Sequence, residues 1–240
     1  MSALGSSDVG ASCDNGLPRP VRIYLVRHGR TELNAAGALR GHLDVPLDLV
    51  GRHEAARLGR SLARRHPRQV VTSPLRRAVE TGEAIAREAR VSRHVDVRLT
   101  DRGYGQWAGV AAAEVVNLFG SVDAAPGVEP AADVCSRALA AMLDIARGSG
   151  LGPTVVVSHD AINRTVLAAL DPALGSPDDI PQDTGCLNAI DCDMSAGSPV
   201  KWRVLSVNEP SLGGRGSLQA MALRRHDGKG HYDQHEPDLA

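Results

Sequence analysis

VRIYLVRHGRTELN, residues 21–34, is the stretch from which the rest of the chain can be read. Val21–Val26 is apolar and rich in β-branched or aromatic residues, which predicts a buried strand. The run stops at Arg27-His28-Gly29, so a histidine falls at the strand's carboxyl end. Open α/β sheets bind ligands beyond that end. Gly29 lets the backbone turn close to a ligand. Arg27 sets a fixed positive charge beside the imidazole, and Asn34 adds an amide donor. Taken singly, the tripeptide reads equally well as a surface Arg-His pair.

Working outward, strands and helices alternate. Asp48–Arg65 has helical apolar spacing with Asp48 as N-cap, and Pro74–Arg90 is a second amphipathic helix. Gln69–Thr72, His94–Leu99, Thr154–Ser158, Cys186–Cys192 and Trp202–Val207 read as strands. Val134–Arg147 and Ala161–Leu170 read as helices. Such alternation predicts an α/β fold, a three-layer α/β/α sandwich around a mainly parallel sheet. The expected domain runs over residues 21–208. Residues 1–20 and 209–240 are Gly-, Ser- and Pro-containing or polar without periodicity, and are expected to be a disordered arm and tail. The tail's three histidines are too loosely spaced to suggest a metal site.

The composition narrows the function. The 240 residues carry a formal net charge of −1, which offers no general attraction to nucleic acid or a membrane surface. No apolar run is long enough to span a bilayer, and the first residues lack the basic and apolar regions of a signal peptide. Four scattered cysteines lack zinc-type spacing and read as free thiols in a reducing, cytoplasmic compartment. Aromatics are only 2%, so the core must rest on Leu, Val, Ile and Ala. Nearly all the basic residues are arginine, whose guanidinium fork suits phosphate oxygens.

Three further clusters sit at predicted strand ends. Thr72-Ser73-Pro74-Leu75-Arg76-Arg77-Ala78 leads to Thr81 at a strand-to-helix junction, where helix N–H groups favour an anion. Val157-Ser158-His159-Asp160 places a second histidine at a strand's carboxyl end. Leu99–Gly109 is a Gly-punctuated loop carrying Asp101, Tyr104 and Trp107. Each cluster alone has an ordinary structural explanation. Together they supply a nucleophile, donors for three equatorial phosphoryl oxygens and an acid for a leaving group.

Arg27-His28-Gly29-Arg30-Thr31-Glu32-Leu33-Asn34 resembles the RHG-x-T-x-x-N signature of the histidine phosphatase superfamily, also called phosphoglycerate-mutase-like. Gly41-His42-Leu43-Asp44-Val45-Pro46-Leu47, with Gly51 beyond it, is similar to that family's G-x-x-D-x-P-L…G segment. Ser73–Thr81 matches S-x-L-x-R-A-x-x-T, a register that makes Arg77 rather than Arg76 the phosphate-binding arginine, and Val157-Ser158-His159 matches the second-histidine motif. The ordered motifs cover about Val21 to Val207. The resemblance implies that His28 becomes a phosphohistidine, with Arg27, Asn34, Arg77 and His159 holding the phosphoryl oxygens. Gly41, Tyr104 and Asp160 complete the expected phosphate- and substrate-binding set. No metal or cofactor is expected, because the arginines supply the charge a metal would.

Two departures matter. The family's general-acid glutamate is replaced by Asp101, and the glycine that usually follows the second histidine is Asp160. The family's acid phosphatase branch uses a His-Asp pair, so two carboxylates compete; the surrounding loop favours Asp101. The segment between Gly109 and Pro126, which corresponds to the cap, is apolar and holds no Lys or Arg. A mutase needs basic residues there, so a phosphatase of small phosphorylated metabolites is the favoured reading. A phosphoglycerate mutase and a non-catalytic phosphate-binding module are the alternatives. Nothing in the pattern bears on oligomeric state.

Overall fold

A computed structural model describes residues 20–150, 152–195 and 199–210. The expected terminal arm and tail therefore fall outside the described residues, except for Pro20, Glu209 and Pro210. Six strands form one sheet: β1 (Val21–Arg27), β2 (Gln69–Thr72), β3 (Ser92–Val95), β4 (Thr154–Ser158), β5 (Leu187–Asp193) and β6 (Lys201–Glu209). Their order is β3-β2-β4-β1-β5-β6. The pairs β1–β4, β2–β4 and β2–β3 are parallel, while β5 and β6 add an antiparallel edge.

Side chains alternate across this sheet as strand geometry requires. Ile23 and Leu25 of β1 join Val71 and Val156 on one face. That face is covered by α5 (Ala131–Gly148) and α6 (Asp160–Leu170), through Val134, Ala138, Met142, Ile162 and Val166. Tyr24, Val26, Val70, Val155 and Val157 face the other way. There α2 (Leu49–Ala63) and α3 (Arg76–Ala89) bury Leu58, Leu62, Ala78 and Ile85. The result is the three-layer α/β/α arrangement. Two shorter helices, α1 (Glu32–Ala35) and α4 (Ala112–Phe119), lie in the connections. Around α4 a separate apolar cluster of Leu39, Tyr104, Val115 and Ala125 forms, with Trp107 edge-on to Phe119 at 5.0 Å.

The structure departs from the sequence reading at two edges. His94–Leu99 is not one strand: β3 ends at Val95, and Val97–Leu99 is a 3₁₀ turn. Asp96 causes the break, because its carboxylate accepts from the Arg98 amide and competes with ladder pairing. The tail begins later than expected. Glu209 still belongs to β6, opposite Leu187, and reaches Arg65 at 3.4 Å.

Close backbone approach fixes the loop after β1 against α2. A Cβ at Gly29 would overlap the Gly51 carbonyl, and a Cβ at Gly51 would overlap the Arg30 carbonyl. Gly29 is therefore explained by packing against a helix, where the sequence suggested ligand approach. Asp48 caps α2 through the Gly51 amide at 2.8 Å and also pairs with Arg30 at 2.8 Å, tying the same loop down. Gly51→Ala should push α2 away from residues 29–30. The expected cost is about 1–3 kcal/mol, in the range of overpacked sites. Urea denaturation of the variant checks this; wild-type stability would show that the two backbones have room to part.

Candidate active site

The sheet register assembles the site. Arg27 is the register partner of Ser158, so the next residues, His28 and His159, emerge side by side. Thr72 pairs with Val157, which brings Ser73 to the same edge. The two imidazole centroids lie 5.1 Å apart with planes tilted by 59°. Both rings are fully buried.

Hydrogen bonding gives each ring a direction. His28 Nδ1 lies 2.7 Å from the Gly29 carbonyl. A carbonyl can only accept, so Nδ1 carries the proton and Nε2 is left with its lone pair. His28 Nε2 has no hydrogen-bond partner among the described residues. His159 Nε2 lies 2.7 Å from Ser73 Oγ, while Nδ1 is unpartnered and 3.8 Å from Asp101 Oδ2. Burial pushes both histidines well below the ordinary imidazole range, and neighbouring groups reinforce it: at His28 the coupling to His159 and the charges of Arg77 and Arg27, at His159 Arg77 first. Both rings are accordingly neutral at pH 7.

Two arginines flank the rings. Arg27 NH1 donates to the Gln182 carbonyl and lies 3.7 Å from Asp160 Oδ1. Arg77, fully buried, donates to the carbonyls of Leu43 and Gly41, each at 2.8 Å, and to Asp101 Oδ2 at 2.9 Å. Arg76 is exposed and pairs with Glu80, so Arg77 is the arginine that enters the site. Burial lowers both Arg27 and Arg77 from the usual guanidinium range, yet each retains a facing carboxylate. The Nε atoms of both are buried and unpartnered.

The remaining sequence candidates are placed as follows. Asp101 is buried, with Oδ1 accepting from the Arg102 amide, and its backbone carbonyl is held by Arg137 and His42. Asp160, the first residue of α6, accepts from Arg164 at 2.7 Å and faces Arg27. Gly41 has φ of +49° and offers its carbonyl to Arg77. Tyr104 packs against Gly41 and the cap cluster, and burial raises its hydroxyl above the ordinary phenol range. Asn34 is committed to a capping box with Thr31 at the start of α1, which fixes its carbonyl oxygen.

Sequence reasoning missed Arg40, Gln182 and the roles of Ser73 and Thr81. Arg40 Nε is also buried and unpartnered. Gln182 holds Arg27 by its carbonyl, while its side chain is bound by Asn163 and Asn188. Thr81 Oγ1 accepts from the Gly29 amide at 3.1 Å. The family motifs include Ser73 and Thr81, but only the fold reveals their partners. Of the seven buried, unpartnered side-chain N or O atoms among the described residues, five belong to Arg27, His28, Arg40, Arg77 and His159. Four are guanidinium or imidazole nitrogens and the fifth is the His28 lone pair, a set of groups chemically suited to a phosphoryl group. No group of three or more His, Cys, Asp or Glu among the described residues is placed to hold a metal ion.

The histidine phosphatase superfamily (branch 1) family model matches residues 23–205. The chain belongs to that family. A glucosyl-3-phosphoglycerate phosphatase of Mycolicibacterium vanbaalenii is 33% identical over 211 residues, covering 76% of this chain and 92% of the relative. Phosphoserine phosphatase 1 of Hydrogenobacter thermophilus is 28% identical over 160 residues, covering 62% and 76%. The fold matches that of a mycobacterial glucosyl-3-phosphoglycerate phosphatase solved in complex with VO3, with a TM-score of 0.70 at 24% identity, over 78% of this chain and 99% of that one. This chain is a phosphatase of the same family, hydrolysing phosphate esters.

The neutral buried histidines make the histidine phosphatase fold sensitive to acid. Their folded-state pKa values lie below the unfolded value near 6.5, so below that pH the unfolded chain binds more protons. Stability is fully present above pH 6.5 and is lost as pH falls toward the folded-state values. Each ring contributes a slope of up to about 1.4 kcal/mol per pH unit in that window. Replacing His28 by Gln should flatten the slope of unfolding free energy between pH 6.5 and 5 by about one proton. An unchanged slope in denaturant titrations would mean that His28 is protonated in the folded protein.

Proposed function

We propose that this phosphatase hydrolyses small phosphorylated metabolites through a phosphohistidine on His28. The carrying observation is the unprotonated His28 Nε2, buried beside the unpartnered Arg27 Nε, Arg77 Nε and His159 Nδ1. The substrate's three phosphoryl oxygens meet those donors, and the Asn34 amide adds a fourth from α1. Nε2 attacks phosphorus in line. The N–P bond forms as the bond to the alcohol oxygen breaks, and a carboxyl group protonates that oxygen. Water then attacks phosphorus, the same carboxylate takes its proton, and inorganic phosphate and free His28 result. Ser73 donates its hydroxyl proton to His159 Nε2, which leaves Nδ1–H as the donor to phosphate.

Asp101 is the proposed acid. It is buried beside Arg77 and His159, so the side chain reaches the site although it is a methylene shorter than glutamate. Asp160 is held by Arg164 and faces Arg27, which favours a positioning role. Gly41 acts through its hold on Arg77, and Tyr104 borders the substrate. The phosphoglycerate mutase alternative is not favoured, and the catalytic reading leaves no need for a binding module. The reading includes no nucleic acid or membrane partner, in keeping with the net charge of −1. Among the described residues no helix is long and apolar enough to cross a membrane. The cytoplasm is the proposed location, supported by free, buried thiols at Cys186 and Cys192.

Leaving-group dependence tests the assignment. An alkyl alkoxide leaves poorly without a proton, whereas p-nitrophenolate needs little help. Asp101→Asn should lower kcat on alkyl phosphates by about 10²–10⁴-fold and on p-nitrophenyl phosphate much less. Asp160→Asn should slow both more evenly. The reverse pattern would make Asp160 the donor, and transfer of phosphate to a second hydroxyl without release would restore the mutase.

A further inference from the structure

Arg27 and Arg77 are held in different ways. Arg77 donates to the carbonyls of Gly41 and Leu43 and to Asp101, so its plane is fixed by all of them together. The Arg27 side chain makes one hydrogen bond among the described residues, from NH1 to the Gln182 carbonyl. Asp160 Oδ1 stands off from it at 3.7 Å and is engaged by Arg164 at 2.7 Å. A guanidinium is a rigid planar fork, so fixing one terminal nitrogen constrains where Nε points. The direction of Arg27 therefore depends on where the Gln182 carbonyl lies.

That carbonyl belongs to a segment tied down at many points. The Arg27 amide donates to the Cys186 carbonyl, and the Gly185 amide donates to the His28 carbonyl, each at 3.1 Å. Gln182 is buried. Its Nε2 donates to the Pro181 carbonyl and to Asn188 Oδ1, each at 2.8 Å. Its Oε1 accepts from Asn188 Nδ2 at 3.0 Å, from Asn163 Nδ2 at 3.1 Å and from Cys186 Sγ at 3.4 Å. Asn188, fully buried in β5, also donates to the carbonyl of Leu25 in β1 at 2.9 Å. Asn208 of β6 closes the network in the left-handed conformation, with φ of +55°, which Asn tolerates. Its amide donates to Asn188 Oδ1, and its side chain accepts from the Asp183 amide and donates to the Asp183 carboxylate. A buried polar network with every member paired rigidifies what it surrounds, and each unpaired member is costly.

We propose that Gln182 is a positioning residue for phosphoryl transfer: its carboxamide, locked between Asn163 of α6 and Asn188 of β5, fixes the carbonyl that aims Arg27 at the phosphoryl group. The inference rests on the reading above that Arg27 holds a phosphoryl oxygen. The network joins the elements that flank Arg27, because α6 begins at Asp160 and β5 pairs with β1. An apolar side chain at position 182 frees the carbonyl to shift and leaves the Asn163 and Asn188 donors buried without their acceptor. Gln182 touches no reacting atom. Its loss acts through Arg27 on the phosphoryl group and not on the leaving group.

Orthovanadate binding, measured by calorimetry, reports on the phosphoryl site without turnover. Gln182→Met keeps the side chain's length and removes its hydrogen bonds. It should weaken orthovanadate binding and lower kcat/KM by about 10–100-fold, the scale of a slightly misplaced binding group, and by the same factor on p-nitrophenyl phosphate and glycerol 3-phosphate. Asn163→Ala, which removes one donor to the carboxamide, should act in the same direction by less. In an Arg27→Ala background neither change should weaken orthovanadate binding further, because residues that act as a unit are not additive. A merely structural role would cost the same factor in both backgrounds and would overturn the proposal, as would wild-type orthovanadate affinity in a folded Gln182→Met protein. If Gln182→Met does not fold, Asn163→Ala decides by the same comparison. Wild-type orthovanadate affinity in Arg27→Ala would overturn the reading of Arg27 itself, and the proposal with it.

Discussion

The parallel pairing of β1 with β4 is the constraint on which the site depends. With Arg27 opposite Ser158, each strand's following residue is a histidine, and the two rings must share one space at the sheet's edge. A one-residue slip would turn Ile23 and Leu25 from the α5–α6 face to the opposite face, along with every other side chain of β1. The apolar core thus enforces the register that brings the two histidines together. Gly29 and Gly51 carry the same logic outward, since their backbones meet so closely that the loop after His28 has one place to lie.

Electrostatics then decides what the buried groups can do. Burial and the flanking arginines keep both imidazoles neutral, as the nucleophilic role proposed for His28 requires. The arginines in turn are kept charged inside the protein by Asp101, Asp160 and backbone carbonyls. Those partners occupy the terminal nitrogens and leave the Nε atoms over. The positive charge is thus fixed before a substrate arrives, so little reorganisation is needed as negative charge shifts during phosphoryl transfer.

Much of this was legible in the sequence because it is local. The apolar run before Arg27, the Asp48 cap and the TVVVS strand each announce themselves within a few residues. The resemblance to the family's S-x-L-x-R-A-x-x-T motif also singled out Arg77 over Arg76, and the structure buries Arg77 on the inner face of α3. What stayed hidden depends on tertiary approach. Arg40 lies in an irregular connection with no periodicity to orient it, and Gln182 acts on Arg27 across 155 positions of sequence. The end of β3 was misplaced for a local reason, the Asp96 side chain competing with the ladder. The need for glycine at position 29 arises from α2, which no local pattern reveals.

The central claim is that His28 Nε2 carries the phosphoryl group between ester and water. Rapid acid- and base-quench of the wild-type enzyme during turnover of a labelled phosphate ester tests it most directly, with the modified residue located by peptide mapping. The account predicts a label on the peptide containing His28 that is stable in base and lost in acid, and absent from His28→Ala. Label that survives acid on a serine, or turnover by His28→Ala at the wild-type rate, would contradict it.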